Sequence, residues 1–251
     1  MSITQRFYDN LAPHYDKLFF DWQRTTEEQA QLLCGMMGEL GLDPTARILD
    51  CAAGIGTQAI GLASLGYRVT ASDISEGALA EAKRRAADAR VAIRFECADF
   101  RALERVFSDC FDAVIAMDNA LPHMLTHADL AAAVASIASR VREDGVFIGS
   151  IRDYDALLAE KPPYSPPYIH PTEKGRRVSF QTWDWEDDVY RLTQYIIEDE
   201  GALVTNKFTC AYRAVRREEL SQLFTAVGFS DVRWLFPEET GFYQPILVAR
   251  K

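Results

Sequence analysis

The sequence of 251 residues predicts an α/β protein: a doubly wound, mostly parallel sheet carrying an antiparallel β insertion. Two observations lead there. Between residues 47 and 151, short apolar runs alternate with single amphipathic helices, an order that yields parallel strands covered on both faces. After residue 151 the pattern turns to three period-2 stretches, near 177–185, 189–198 and 203–213, separated by acidic turns. Such half-polar alternation fits a meander with one wet face, placed as a lid on the parallel sheet.

The elements follow in order. A helix is expected from Thr25 to Leu40, with Thr25-x-x-Glu28 as a capping box, Ala30, Leu33, Met37 and Leu40 on the apolar side, and Gly41 as the stop. A strand at Arg47 to Asp50 leads to a helix from Thr57 to Leu65 closed by Gly66, then to a strand at Arg68 to Ala71 and a helix from Ser75 to Ala89. Strands at Ala92 to Glu96 and Asp112 to Met117 come next. A helix from Ala128 to Val141 sits behind a Thr126-x-x-Asp129 cap, and a strand from Val146 to Ile151 follows a turn at Gly145. Beyond a proline-rich loop at Lys161 to Pro167 and the meander, a helix from Arg217 to Val227, stopped by Gly228, and strands near 231–236 and 244–250 return to the main sheet.

Composition narrows the function classes. The chain is 48% hydrophobic and 25% charged, ordinary globular usage, with a formal net charge of -10 that disfavours nucleic-acid partners. No apolar run has the length of a membrane span, and Met1 to Arg6 lack a secretory apolar core, so the cytoplasm is the expected location. The five cysteines include no C-x-x-C pair and the four histidines are scattered, so no disulfide framework or metal site is expected. A homo-oligomer is compatible with the sequence.

The chemistry concentrates after the first strand, in Asp50-Cys51-Ala52-Ala53-Gly54-Ile55-Gly56-Thr57. Glycines let backbone approach a ligand closely, and the helix that starts at Thr57 offers unsatisfied N–H groups. Asp73, at the end of the second strand, stands where a carboxylate accepts ribose hydroxyls. These features suit a dinucleotide or an adenosine sulfonium. Asp50 separates the two, because a pyrophosphate would meet its charge at the turn whereas a methionine ammonium is attracted to it. Asp99 and Phe100, after the third strand, suit the adenine amine and ring.

Asp50-x-x-x-Gly54-x-Gly56, Ser72-Asp73 and Ala98-Asp99-Phe100, in that order, resemble the class I S-adenosylmethionine methyltransferases over roughly residues 45–151. The resemblance implies a seven-stranded Rossmann-like sheet with an antiparallel final hairpin and S-adenosyl-L-methionine at the carboxyl ends of the strands. The pattern along the chain divides it into 1–40 (aromatic amino-terminal segment and helix), 41–155 (cofactor-binding core), 156–213 (lid or insertion) and 214–251 (closing helix and strands). The implied cofactor residues are Tyr15, Arg24, Asp50, Ala52, Gly54, Gly56 and Thr57, then Asp73, Ile74, Ala98, Asp99, Phe100 and Met117.

One branch is more similar, the glycine and sarcosine N-methyltransferase-like enzymes. The likeness lies in the segment Phe7 to Phe19 with Arg24-Thr25-x-Glu27, in Asp118-Asn119-Ala120-Leu121-Pro122-His123, in Arg152-Asp153-Tyr154-Asp155, and in the late segments around Tyr212 and Tyr243. It implies that Arg24 holds the methionine carboxylate, that Tyr8, Asn119 and Tyr212 contact the acceptor, and that Arg152 grips an acceptor carboxylate. Asp118 stands where the branch has glycine, and Ala120 where it has serine. The extra carboxylate beside the transfer site shifts the expectation from glycine itself to a small polar amine of altered charge, which Asp118 binds or deprotonates. The expected reaction is in-line displacement by a neutral amine. Methylation of a heterocyclic nitrogen, hydroxyl or carboxylate stays open, as does a non-catalytic cofactor-binding protein. A dehydrogenase is disfavoured by Asp50.

Overall fold

The computed structural model describes residues 2–251; Met1, the first residue of the expected amino-terminal segment, lies outside the described residues. The chain begins with helix α1 (Ile3–Leu11), a 3₁₀ segment (Ala12–Leu18) and helix α2 (Trp22–Glu39). The alternating region runs β1 (Arg47–Asp50), α3 (Thr57–Ser64), β2 (Arg68–Asp73), α4 (Glu76–Asp88), β3 (Arg94–Cys97), β4 (Phe111–Ala116), α5 (His127–Arg140) and β5 (Val141–Ser150). Helix α6 (Tyr154–Glu160) precedes β6 (Tyr168–Thr172), β7 (Gly175–Glu186), β8 (Val189–Asp199) and β9 (Leu203–Arg213). The chain closes with α7 (Arg217–Ala226), β10 (Asp231–Leu235), α8 (Pro237–Thr240) and β11 (Ile246–Arg250).

The main sheet has seven strands in the order β10-β11-β5-β4-β1-β2-β3. Strands β1 to β5 pair in parallel, and β11 joins antiparallel to both β5 and β10. Its central strands are buried on both faces. Leu49, Val114 and Phe147 point into one apolar cluster, while Ile48, Ile115 and Ile148 point into another. That two-sided burial is why these strands read as continuous apolar runs. Strands β6 to β9 form a separate antiparallel sheet. Its inner residues Tyr190, Leu192 and Tyr212 belong to the first cluster, so the second sheet is seated on the core.

Several elements depart from the expectations. Helix α2 starts at Trp22, not Thr25, because the Asp21 carboxylate accepts the Arg24 N–H (3.0 Å) and caps it. Thr25 is therefore inside the helix, its hydroxyl bonded back to the Asp21 carbonyl. Strand β5 begins at Val141, where the helix was expected to end, with a register shift opposite Phe111 and Ala113. Helices α1 and α6 and strand β6 were not anticipated. Ile3, Phe7 and Leu11 do recur at helical spacing, and Ser2 caps them by accepting the Gln5 N–H. Helix α6 is capped by Asp153 and ends at Lys161, ahead of two prolines that cannot continue it. The expected Thr126 cap does form, accepting the Asp129 N–H at 3.0 Å. Among the described residues no helix is long and apolar enough to cross a membrane.

The amino-terminal segment is fastened to both halves. Asp9 of α1 accepts hydrogen bonds from the Ser75 hydroxyl (2.6 Å) and the Gly77 N–H (3.0 Å) at the start of α4. Lys17 donates to Glu198 of β8 (2.8 Å), and Arg177 of β7 donates to the Phe19 carbonyl (2.7 Å).

Helix α2 packs on α3 so closely that a Cβ at Gly61 would stand 2.6 Å from the Ala30 Cβ and 2.8 Å from the Thr26 carbonyl oxygen. Gly61→Ala is therefore expected to destabilise the protein by about 1–3 kcal/mol through overpacking. Gly35→Ala, at an exposed position of α2 with open space around it, is expected to stabilise by about 0.5–1 kcal/mol. Urea denaturation of the two variants gives both signs.

Candidate functional site

The loop between β1 and α3 turns on two residues with left-handed backbone, Gly54 (φ 52°) and Gly56 (φ 93°). A side chain at Gly56 would also run into Ile60. The loop is fixed by Asp73 at the end of β2. One oxygen of its carboxylate accepts the Gly54 N–H (2.8 Å) and the other the Ser75 N–H (2.9 Å). Burial pushes the Asp73 carboxyl up, and these backbone donors oppose the rise.

In front of the loop lies a cavity of about 310 Å³. Of the residues expected at a cofactor, Ala52, Gly54 and Thr57 line it from the loop, Asp73 and Ile74 from the end of β2, and Asp99 and Phe100 from the end of β3. Tyr15 and Met117 complete the wall. Asp99 also holds Arg101 through a paired contact at 2.7 Å.

Three expected residues sit behind this wall and one points away from it. Gly56 serves as the turn before α3, and Ala98 is buried with its N–H on the Asp73 carbonyl (3.0 Å). Asp50 lies under the loop, 1% exposed, with one oxygen near the Ala52 N–H (3.3 Å) and the other, Oδ2, buried without a partner. Burial pushes its carboxyl up to about 8, with the neighbouring Asp73 and Asp118 adding to the rise. The expectation for Arg24 is corrected. It projects from the outer side of α2, is 75% exposed and pairs with Glu28 at 2.7 Å. The inward side of α2 carries Thr26, Gln29, Ala30, Leu33 and Met37, and a residue two positions before Thr26 faces the opposite way.

A second cavity of about 620 Å³ opens between the sheet ends and the lid, and all five residues expected at the acceptor, Tyr8, Asp118, Asn119, Arg152 and Tyr212, line it. Tyr8, Tyr15 and Asp118 line both cavities and so form the partition between them. Asp118 and Asn119 both take left-handed backbone (φ 55° and 69°) just past β4, a conformation these two residue types tolerate better than most. The turn presents the Asp118 carboxylate to two neutral donors, the Tyr243 hydroxyl (2.7 Å) and the Gln58 amide (2.9 Å). Burial raises its pKa and these donors lower it. Gln58 in turn bonds Gln29 of α2 (2.6 Å). The Asn119 side-chain oxygen accepts the Arg152 N–H (3.0 Å), and its amide nitrogen is buried without a partner.

Arg152 follows β5. Its guanidinium donates to the Tyr190 hydroxyl and to Gln181, both at 2.9 Å, and lies over the Trp183 ring at 5.0 Å. Among the described residues no carboxylate pairs with it. Two of its five N–H groups are committed to these side chains, which leaves donors for an anion.

His123 has a structural part. Its Nδ1 sits 3.3 Å from the Ala211 carbonyl, which can only accept, so Nδ1 carries the proton. Burial drives the His123 pKa down to about 3, leaving the ring neutral and Nε2 bare. Nε2 therefore accepts the Tyr8 hydroxyl proton at 2.9 Å. The lone pairs of Tyr8 are left for the partition between the cavities.

Sequence reading had not assigned Asp9, Gln58, Gln181 or Tyr190. Gln58 had a legible signal, a polar residue on the inner side of a helix that is otherwise apolar. The partners of Arg152 had none, because the lid strands that bring them are distant in sequence.

The residues present fit S-adenosylmethionine. The glycine turn leaves open space at Gly54, the acid at the end of β2 lines the cavity, and an unpartnered buried carboxylate oxygen lies beneath the loop, where a cationic group would compensate it. Comparison with known proteins points the same way. The family described as a methyltransferase domain matches residues 48–145. A glycine/sarcosine N-methyltransferase from Parasynechococcus marenigrum is 27% identical over 245 residues, spanning 96% of this chain and 82% of that protein. Among solved structures, an S-adenosylmethionine-dependent methyltransferase from Clostridium acetobutylicum superposes with a TM-score of 0.75 at 18% identity, over 97% of this chain and 98% of that one. The S-adenosylmethionine-bound amino pentose methyltransferase CalS10 from Micromonospora echinaspora gives 0.73 at 19% identity, over 90% and 91%. Both likenesses concern the fold. The glycine loop, the strand order and the match of residues 48–145 to a methyltransferase domain together support a class I S-adenosylmethionine-dependent methyltransferase.

Proposed function

We propose that this methyltransferase acts on the amine nitrogen of a small metabolite that also carries a carboxylate. The observation that carries the reading is Arg152, a guanidinium at the wall of the second cavity held only by neutral partners and aromatic rings. A desolvated cation without an internal anion is matched best by an anion from the ligand. Asp118 supports the amine end, since its carboxylate stands on the partition and is met by neutral donors alone. The relative from Parasynechococcus marenigrum is named for glycine and sarcosine, both amino carboxylates, which agrees with this reading.

When bound, S-adenosylmethionine supplies an electrophilic methyl group on a sulfonium. Ala52, Gly54, Thr57, Asp73, Ile74, Asp99, Phe100, Tyr15 and Met117 would hold it, with Asp50 beneath the loop adding negative potential once the bound sulfonium and ammonium bring its raised pKa down. Arg152 takes the acceptor carboxylate and Asn119 offers its free amide N–H. Tyr8, its proton committed to His123, presents lone pairs to the amine N–H groups, and Tyr212 packs beside it. Asp118 stabilises the positive charge that nitrogen gains. The amine lone pair forms the new nitrogen–carbon bond as the carbon–sulfur bond breaks with its electrons on sulfur, and the ammonium proton then leaves to water. Holding the partners in line is the main contribution of the protein, on the order of 7–11 kcal/mol. The segment 156–213 serves as the lid that keeps water from the transfer.

Arg152→Ala is expected to raise the acceptor KM about 100-fold while leaving cofactor affinity intact. Equal loss of both in calorimetric titration would remove it from the acceptor. Arg24→Ala, exposed and remote, should keep cofactor affinity within about twofold.

Asp50 yields a pH prediction. Its folded pKa, about 8, exceeds the ordinary carboxylate value, so between about pH 4 and 8 the folded state binds more protons than the unfolded state and stability falls as pH rises. Asp50→Asn should flatten that part of the profile in the cofactor-free protein and weaken cofactor binding about tenfold. Denaturation across pH and calorimetry measure the two effects. A profile unchanged by the substitution would show that Asp50 ionises normally.

A further inference from the structure

A methyl group that passes from the cofactor cavity to the acceptor cavity must cross the partition, and of the three residues that line both cavities Asp118 is the one carboxylate. Burial pushes the hydroxyls of Tyr8 and Tyr15 up from their ordinary value, so both stay neutral. Both oxygens of Asp118 accept hydrogen bonds, Oδ1 from the Tyr243 hydroxyl and Oδ2 from the Gln58 amide, as an ionised carboxylate does. The other acids on the cofactor cavity are already engaged. Asp99 and Asp129 pair with Arg101 (2.7 and 2.8 Å), and Asp73 takes the backbone N–H groups of Gly54 and Ser75 at the end of β2. Among the described residues no lysine or arginine pairs with Asp118. A cation that enters the cofactor cavity and lies at the partition therefore meets one carboxylate that has no counterion.

We infer that Asp118 discriminates by the charge on the cofactor's sulfur: its carboxylate favours S-adenosylmethionine, a sulfonium, over S-adenosylhomocysteine, the neutral thioether left after transfer. The two molecules share adenine, ribose, ammonium and carboxylate, so residues that contact those groups bind both alike. Charge on sulfur is what separates them, and sulfur is the atom that has to lie at the partition for its methyl to cross. As the nitrogen–carbon bond forms, the carbon–sulfur bond breaks with its electrons on sulfur, and the positive charge moves to nitrogen, whose proton then passes to water. Asp118 loses its counterion on the cofactor side, and the product is held less tightly than the cofactor was. The inference rests on the proposed passage of the methyl between the two cavities and is independent of which amine accepts it.

The test is calorimetric titration of the purified full chain with three probes: S-adenosylmethionine, S-adenosylhomocysteine and sinefungin, in which a protonated amine replaces the methyl sulfonium. Asp118 takes left-handed backbone (φ 55°), which asparagine and glycine both tolerate, so Asp118→Asn and Asp118→Gly remove the charge without straining the turn. In Asp118→Asn the preference for S-adenosylmethionine over S-adenosylhomocysteine, read as the ratio of the two Kd values, is expected to fall about tenfold. Affinity for S-adenosylhomocysteine stays within about twofold, and sinefungin follows S-adenosylmethionine. Asp118→Gly carries the same expectation and serves if the asparagine variant fails to fold. An unchanged ratio would overturn the inference. So would equal weakening of all three probes, which would assign Asp118 to a group they share. The acceptor reading is judged separately, by the KM of Arg152→Ala, and either can fail without the other.

Discussion

The carboxylate of Asp73 is the tie on which the cofactor side of this molecule depends. It joins the glycine loop to the end of β2 through the Gly54 N–H and to the start of α4 through the Ser75 N–H. Ser75 extends the tie to Asp9 of α1, whose carboxylate also takes the Gly77 N–H. Loop, sheet and amino-terminal helix are thus fixed through one chain of hydrogen bonds. Tyr8, next to Asp9, is placed on the partition by the same chain. The two oxygens of Asp73 retain lone pairs beyond those used by backbone, so the residue that holds the loop can still accept from a ligand.

On the acceptor side the controlling feature is separation of charge without internal pairing. Arg152 and Asp118 come from the ends of adjacent strands, and neither has an ionic partner among the described residues. Each is held by neutral groups: Tyr190 and Gln181 for the cation, Tyr243 and Gln58 for the anion. Pairing them with each other or with other residues would lower the cost of burial and leave neither charge free for a ligand. The left-handed turn at Asp118 and Asn119 keeps the two directions distinct, since it sends one side chain to the partition and the other back to the Arg152 backbone.

Much of this was legible in the sequence because the parallel core is written in local signals. Apolar runs, glycine stops and the Thr126 cap locate most of the core elements to within a few residues, and Asp73 and Phe100 were placed by their position after strands. What escaped reading was long-range or depended on phase. The Asp21 cap competes with a plausible capping box four residues on and moves the start of α2. Arg24 matched a motif, yet its position relative to Thr26 and Ala30 already puts it on the outer side of the helix. Asp118 was recognised as an extra charge, but its restraint by Tyr243 and Gln58 requires the carboxyl-terminal loop and α3 to meet, which no local pattern encodes.

The stacking of Arg152 on Trp183 has a consequence in optics. Trp183 is one of four tryptophans, and its indole nitrogen donates to Gln181, the same side chain that accepts from Arg152. Any ligand that draws the guanidinium toward itself changes the charge over that ring and the hydrogen bond at its edge together. The second sheet therefore carries, in Trp183, a chromophore whose surroundings change with any displacement of the arginine.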